Sequence, residues 1–161
     1  NRGWFYESYS KRKYEELGIN ADFVQDNRSV SREGVVRGLH YQKGEWSQAK
    51  LVRVIKGRVL DVAVDMRKSS PTFGKYVMVE LSEENKMQFF IPRGFAHGFL
   101  VLSDEAIFTY KVDNVYAPHA EASVLFSDAE IGIEWPIASA DMVLSAKDIA
   151  AAPFSEAEYF D

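Results

Sequence analysis

An all-β fold, an antiparallel sandwich or barrel with a few short helices, is what this chain predicts, and three observations carry the prediction. Apolar residues alternate over short stretches, turn residues separate those stretches, and no long amphipathic run intervenes. A parallel sheet would need crossovers of about a dozen residues or more between its strands, and none is visible.

Taken in order, Trp4 to Tyr9 is aromatic-rich and reads as a strand. Ser10 to Leu17 carries a charged face with Tyr14 and Leu17 three apart, and Gly18 follows, so it reads as a short helix with a glycine stop. Val35 to Tyr41 and Ala49 to Ile55 are extended, and Lys56-Gly57 reads as a hairpin turn into Arg58 to Met66. In that segment Leu60, Val62 and Val64 fall on one face and Asp61, Ala63 and Asp65 on the other. Lys75 to Leu81 alternates likewise, with Val77, Val79 and Leu81 against Tyr76, Met78 and Glu80. Met87 to Ile91, Phe99 to Leu102, Ala106 to Val112 and Ser123 to Phe126 complete the strands, and Ser145 to Ala152 is a short helical turn.

Composition bounds the function. The 161 residues, 47% hydrophobic and 27% charged, suit one ordered domain spanning 1–161 with its own core. With no cysteine there is no disulfide framework, thiolate zinc site or cysteine nucleophile. A cytoplasmic location is the expectation, since no signal peptide and no membrane-length apolar run are visible. The net charge of −5, without a basic stripe, argues against nucleic acid as a partner, while two or three local arginines suffice for a small phosphorylated ligand. The first residue is Asn1, and an N-terminal piece is expected to precede it.

Two segments could carry chemistry. In Arg37-Gly38-Leu39-His40-Tyr41-Gln42, strand alternation puts His40 and Gln42 on the face opened by Gly38. His40 is then either a base, with its ordinary pKa near 6.5, or a histidine satisfied inside the core. Ile91-Pro92-Arg93-Gly94-Phe95-Ala96-His97-Gly98-Phe99 is a strand end, a turn and a histidine entering a new strand, and His97 has the same two readings. The residue two after His40 is Gln42 and no acid follows at matching spacing, a poor ligand set for a divalent ion, so no metal is expected. Ser145-Ala146-Lys147-Asp148 fits a capping box, which alone explains Asp148 as a helix-start residue and is the reading the residues favour; an acid there could instead orient a distant histidine. Lys50 opens an apolar strand, an odd position unless it points into a polar cavity. His119, in an Ala-Pro-His-Ala loop, reads as exposed.

Read together, these segments resemble the dTDP-4-dehydrorhamnose 3,5-epimerase family. The matching stretches include Arg2-Gly3 with Glu7-Ser8-Tyr9, Phe23-Val24-Gln25-Asp26-Asn27, Arg37 to Gln42, and Lys50-Leu51-Val52-Arg53. Asp61 to Asp65, Ser70-Pro71-Thr72-Phe73-Gly74, Gly94 to Phe99, Tyr110-Lys111, Gly132 to Pro136 and Leu144 to Asp148 continue the series in order over nearly the whole chain. The resemblance implies a cupin-like jelly-roll barrel, usually a homodimer, with neither cofactor nor metal. It also implies a strand before Arg2 that takes part in the dimer.

By the same resemblance, the reaction inverts C3 and C5 of a dTDP-linked 4-keto-6-deoxyhexose by proton removal and return through an enolate. His40 would be the base, Asp148 its orienting acid, Lys50 the cation at the enolate oxygen and Tyr110 the proton donor on the opposite face. Arg2 and Arg37 would bind phosphate or sugar oxygens, Tyr116 would stack on the thymine ring, and Glu7, Gln25 and Asn27 would contact the nucleotide, some of them from the partner chain. His97, Glu121 and Lys147 match further substrate contacts. Rival readings are an epimerase acting at C3 or C5 alone on a related sugar, a non-catalytic sugar-binding barrel, and a metal-dependent cupin, which Gln42 disfavours.

Overall fold

The computed structural model describes residues 1–161. Period-two alternation sends every second side chain of a strand into the gap between two facing sheets, and nine strands use it here. They are β1 (Gln25–Arg32), β2 (Val36–Gln42), β3 (Lys50–Lys56), β4 (Arg58–Asp65), β5 (Tyr76–Ser82), β6 (Gln88–Ile91), β7 (Phe95–Val101), β8 (Glu105–Val112) and β9 (Glu121–Ser123). One sheet runs β1-β8-β3-β6 and the other β5-β4-β7-β2-β9, with all pairings antiparallel. Two short α-helices, α1 (Lys11–Glu16) and α2 (Ala146–Ile149), and four three-residue 3₁₀ turns complete the regular structure. The architecture is an antiparallel sandwich, as the alternation predicts, of the cupin-like jelly-roll kind that the family resemblance implies.

Three expectations need correction. Trp4 to Tyr9 forms no strand, and its first aromatics lie largely in solvent, Trp4 75% and Phe5 98% exposed. Lys56-Gly57 makes no hairpin, because β3 and β4 belong to different sheets. Gly57 takes the left-handed conformation (φ 77°) and its Cα passes so close to β8 that a Cβ would sit 2.1 Å from the Glu105 carbonyl. The chain therefore turns a corner into the facing sheet. Conversely, β1 is a full eight-residue strand where the sequence shows no apolar alternation. Smaller shifts occur at β7, which begins at Phe95, and at β9, which ends at Ser123.

The central core lies between the sheets and joins Val52, Val54, Val59, Ala63, Leu81, Ile91, Phe99, Val101, Ala106 and Phe108. The Phe99 and Phe108 rings stack across the gap, centroids 4.3 Å apart. The five-stranded sheet is covered on its outer face too. Leu39, Tyr41, Val62, Val64 and Ala96 pack there against Val124, Ile131 and Phe154, and Val36 and Leu100 pack against Phe126 and Met142. Thus β4 is buried on both faces, and the side bearing Asp61 is the one turned into the sandwich.

At the end of β4 a buried carboxylate organises the Ser70-Pro71-Thr72 turn. Asp65 accepts bonds from Arg67 N, Nε and Nη2 at 3.0, 2.8 and 2.7 Å, from Ser70 Oγ at 2.6 Å and from Thr72 Oγ1 at 2.7 Å. These donors outweigh the cost of burial and hold the carboxyl well below the usual carboxylate range. A depressed folded-state pKa stabilises the fold above the unfolded value near 3.9, and that stability is lost as pH falls. We therefore expect Asp65→Asn to lower the unfolding free energy by about 3 kcal/mol at neutral pH. The gap to wild type in urea titrations should shrink below about pH 4; a pH-independent gap would count against this account.

Candidate active site

The cavity sits at one end of the intersheet gap, above the Phe99–Phe108 stack. It encloses about 210 Å³ and is lined by Arg28, Ser29, Arg37, His40, Lys50, His97, Phe99, Phe108 and Tyr110. Its polar groups come from both walls. His40 and His97 project from the five-stranded sheet, while Lys50, Tyr110 and Ser29 project from the four-stranded sheet.

Strict alternation would put Arg37 and His40 on opposite faces of β2, yet both line the cavity. The reason is a register shift in the β2–β7 ladder between them: Arg37 pairs with Phe99, and His40 pairs with His97. Such a bulge re-aims the side chains that follow it. Close packing at Gly38 and Gly98 accommodates it, since a Cβ on Gly38 would lie 2.5 Å from Gly98 Cα.

His40 Nε2 lies 2.5 Å from Asp148 Oδ1, a contact between residues 108 apart in sequence. Asp148 also takes part in a helix cap, its N–H donating to Ser145 Oγ at 3.1 Å while that hydroxyl donates to Asp148 Oδ2 at 2.8 Å. The two readings of Asp148 hold together: the cap of α2 fixes the carboxylate that fixes the imidazole. Burial pulls the His40 pKa below its ordinary value, and Asp148 opposes that shift without cancelling it. The ring is thus neutral at pH 7, with its other nitrogen free to accept a proton.

His97 and Asp61 form a second pair, buried in the sandwich with His97 Nε2 3.0 Å from both carboxylate oxygens. Burial again holds the imidazole below its ordinary pKa. Lys50 is buried beside them, and desolvation pulls its ammonium from 10.5 down to about 8, while Asp61 and Glu121 hold it up. Even so, Lys50 keeps its proton at pH 7. Tyr110 is half-buried, and desolvation raises its phenol, which therefore keeps its proton at neutral pH.

Arg37 is held by its Nε donating to Ser31 Oγ at 3.0 Å. The Ser29 hydroxyl is buried without a protein partner, which leaves it available to a molecule entering the cavity. Gln25 and Asn27 bond each other at 2.9 Å on the same face of β1, where Asn27 is the ladder partner of Tyr110. At the exposed side, Glu121 accepts from the Tyr116 hydroxyl at 2.9 Å and from Lys147 Nζ at 2.5 Å. Arg2 and Glu7 do not join the cavity, and Glu7 instead pairs with Lys13 at 2.9 Å. His119 is exposed against the Trp46 ring. The two cavity histidines each hold their own aspartate, and no trio of His, Cys, Asp or Glu side chains converges on a point that could hold a metal ion.

Sequence reasoning about chemistry passed over Asp61, Ser29 and Ser31. Asp61 had a signal, because an acid in the middle of an apolar alternating strand is the same anomaly as Lys50. The serines had none, since their role depends on β1 being a strand at all.

Residues 1–156 match the family described as dTDP-4-dehydrorhamnose 3,5-epimerase. A curated relative of that name from Shigella flexneri is 56% identical over 160 residues, 99% of this chain and 87% of the relative. The crystal structure of dTDP-4-dehydrorhamnose 3,5-epimerase from Elizabethkingia anophelis superposes with TM-score 0.94 at 57% identity, covering 99% of this chain and 88% of that one. A Legionella pneumophila structure, of dTDP-6-deoxy-D-glucose-3,5-epimerase in complex with dTDP-4-keto-L-rhamnose, gives TM-score 0.93 at 52% identity, covering 98% of this chain and 83% of that one.

Because the carboxylate is what holds the His40 pKa up against burial, Asp148→Asn should move it further down. With three histidines in the chain, the ring signals can be followed individually by NMR titration. An unchanged or raised His40 midpoint in Asp148→Asn would show that the two side chains are not coupled.

Proposed function

Given that the chain belongs to the dTDP-4-dehydrorhamnose 3,5-epimerase family, we propose that it inverts C3 and C5 of dTDP-4-dehydro-6-deoxy-D-glucose to give dTDP-4-dehydro-L-rhamnose. The observation that carries this reading is the facing of a neutral imidazole from one sheet and a protonated phenol from the other across a single cavity, with a lysine beside them.

Epimerisation next to a ketone breaks one C–H bond and forms another on the opposite face. His40 takes the proton at C3 or C5, the electron pair passes into the C4 carbonyl, and O4 becomes an enolate oxygen. Lys50 stabilises that developing charge more than it does the neutral ketone, so its effect falls on the rate. Tyr110 returns a proton from the other side. Once His40 has passed its proton to solvent and Tyr110 has taken one back from it, the same cycle at the second carbon completes the reaction, which needs no electron donor or acceptor. Each contribution is large: a positioned base supplies about 10²–10⁴ in rate and an oxyanion donor about 10²–10³.

Arg37, on the cavity wall, takes phosphate or sugar oxygens; outside the cavity Lys147 does the same and Tyr116 serves as the platform for the thymine ring. The functional unit is a homodimer in which Arg2 and Glu7 contact the nucleotide bound by the partner. What supports this is their position away from their own chain's cavity, on a segment with exposed Trp4 and Phe5. Light scattering should return the mass of two chains.

Incubation with substrate in D₂O should place label at both C3 and C5; label at one carbon alone would make the protein a mono-epimerase. His40→Ala should lose about 10²–10⁴ in kcat, and undiminished turnover would remove the imidazole from the mechanism. The pH profile of kcat/KM should rise through the acid range as His40 loses its proton. It should fall again near pH 8 as Lys50 loses its own. Lys50→Arg should carry the alkaline limb well upward in whatever activity remains; a limb still at pH 8 would belong to another group.

A further inference from the structure

Gln42 lies two residues beyond His40 on β2 and is 4% exposed, yet it does not line the cavity. Its amide is spent on backbone. Nε2 donates to the Trp46 carbonyl at 2.7 Å and to the Val115 carbonyl at 3.1 Å, and Oε1 accepts from Ala117 N at 2.7 Å. Val115 and Ala117 are the two neighbours of Tyr116.

Tyr116 needs such a grip. It sits in the connection between β8 and β9 with no sheet ladder to define its backbone, and it is 55% exposed. Asn114 fixes the start of this loop, donating to the Glu45 carbonyl at 2.9 Å and accepting from Gln48 at 2.8 Å. Neither bond reaches past residue 114. Beyond it, Gln42 holds the chain immediately before and after Tyr116, and the tyrosine hydroxyl is held by Glu121, the ladder partner of Gln42 on β9. One register position of the β2–β9 pair therefore fixes Tyr116 at three points. Only a side chain that donates and accepts at once can do this: a glutamate would aim acceptors at two carbonyls, and a methionine would offer neither kind of bond.

We propose that Gln42 is a positioning residue for nucleobase binding, clamping the backbone on both sides of Tyr116 so that its ring is already oriented as the stacking platform for the thymine of a dTDP-sugar. The proposal rests on Tyr116 being that platform. Holding the loop before the ligand arrives removes an ordering cost from binding, so the clamp shows in nucleotide affinity and acts through Tyr116.

The test is a double-mutant cycle read by calorimetric titration of the intact protein with dTDP. Gln42→Glu should weaken dTDP binding about tenfold, the size of a lost buried hydrogen bond. Gln42→Met, which removes the amide without adding charge, should do the same and stands in if the glutamate variant does not fold. Tyr116→Ala should weaken binding as well, and adding either Gln42 substitution to it should change the affinity by less than about twofold. A general loosening of the barrel would instead weaken binding equally with and without the tyrosine ring. Wild-type affinity in both Gln42 variants, or a full additive loss in the Tyr116→Ala background, overturns the clamp while leaving the platform standing. Wild-type affinity in Tyr116→Ala sinks the platform and the clamp together.

Discussion

The bond between His40 and Asp148 is the constraint on which the rest of the site depends. An imidazole on a sheet can rotate about two side-chain torsions, and burial by itself only makes it harder to charge. The acid that steadies it comes from a short helix, and that helix is set in turn by Ser145, whose hydroxyl caps its first turn and bonds the same carboxylate. Orientation thus passes from a local backbone rule to a side chain across the molecule.

The interior of the sandwich is divided. One end of the gap is filled by Val52, Val54, Val59, Leu81 and Val101, where burial of each side chain contributes roughly 1.5–3 kcal/mol. The other end holds Lys50, Asp61 and His97 together, and for each of them desolvation is the largest influence on its charge. Isolated, any one would be too costly to bury in charged form. As a group, the carboxylate supports both the ammonium and the imidazole, and the ammonium keeps most of its charge while standing close to losing it. A buried side chain that still carries a positive charge is suited to negative charge that appears and disappears during a reaction.

Where the pattern of apolar residues follows the sheet, the sequence is readable. Strands β3, β4, β5 and β8 lie close to where their alternation puts them, and His40, Lys50 and Tyr110 do meet at one cavity. Reading failed where the inward face is polar. Gln25, Asn27, Ser29 and Ser31 turn inward along β1, where Ser29 lines the cavity and Ser31 holds Arg37, so the strand lacks the hydrophobic signature of its kind. It failed the other way at Trp4 to Tyr9, where aromatic residues favour strands but no neighbouring strand pairs with them. The corner at Gly57 and the bulge after Arg37 are tertiary decisions, each made by contact with a distant segment that local sequence does not reveal.

The covering of the outer sheet face has a consequence for how the protein comes into being. The segment that delivers Asp148 is laid down late, held by the Val35–Val143 and Val124–Ala152 bridges, with Phe154 sealing the core behind it. Every strand precedes it along the chain, so during synthesis from the N-terminus the sheets can emerge and pair while the imidazole still lacks its acid. The His40–Asp148 contact is thereby reserved for chains whose translation has passed residue 148.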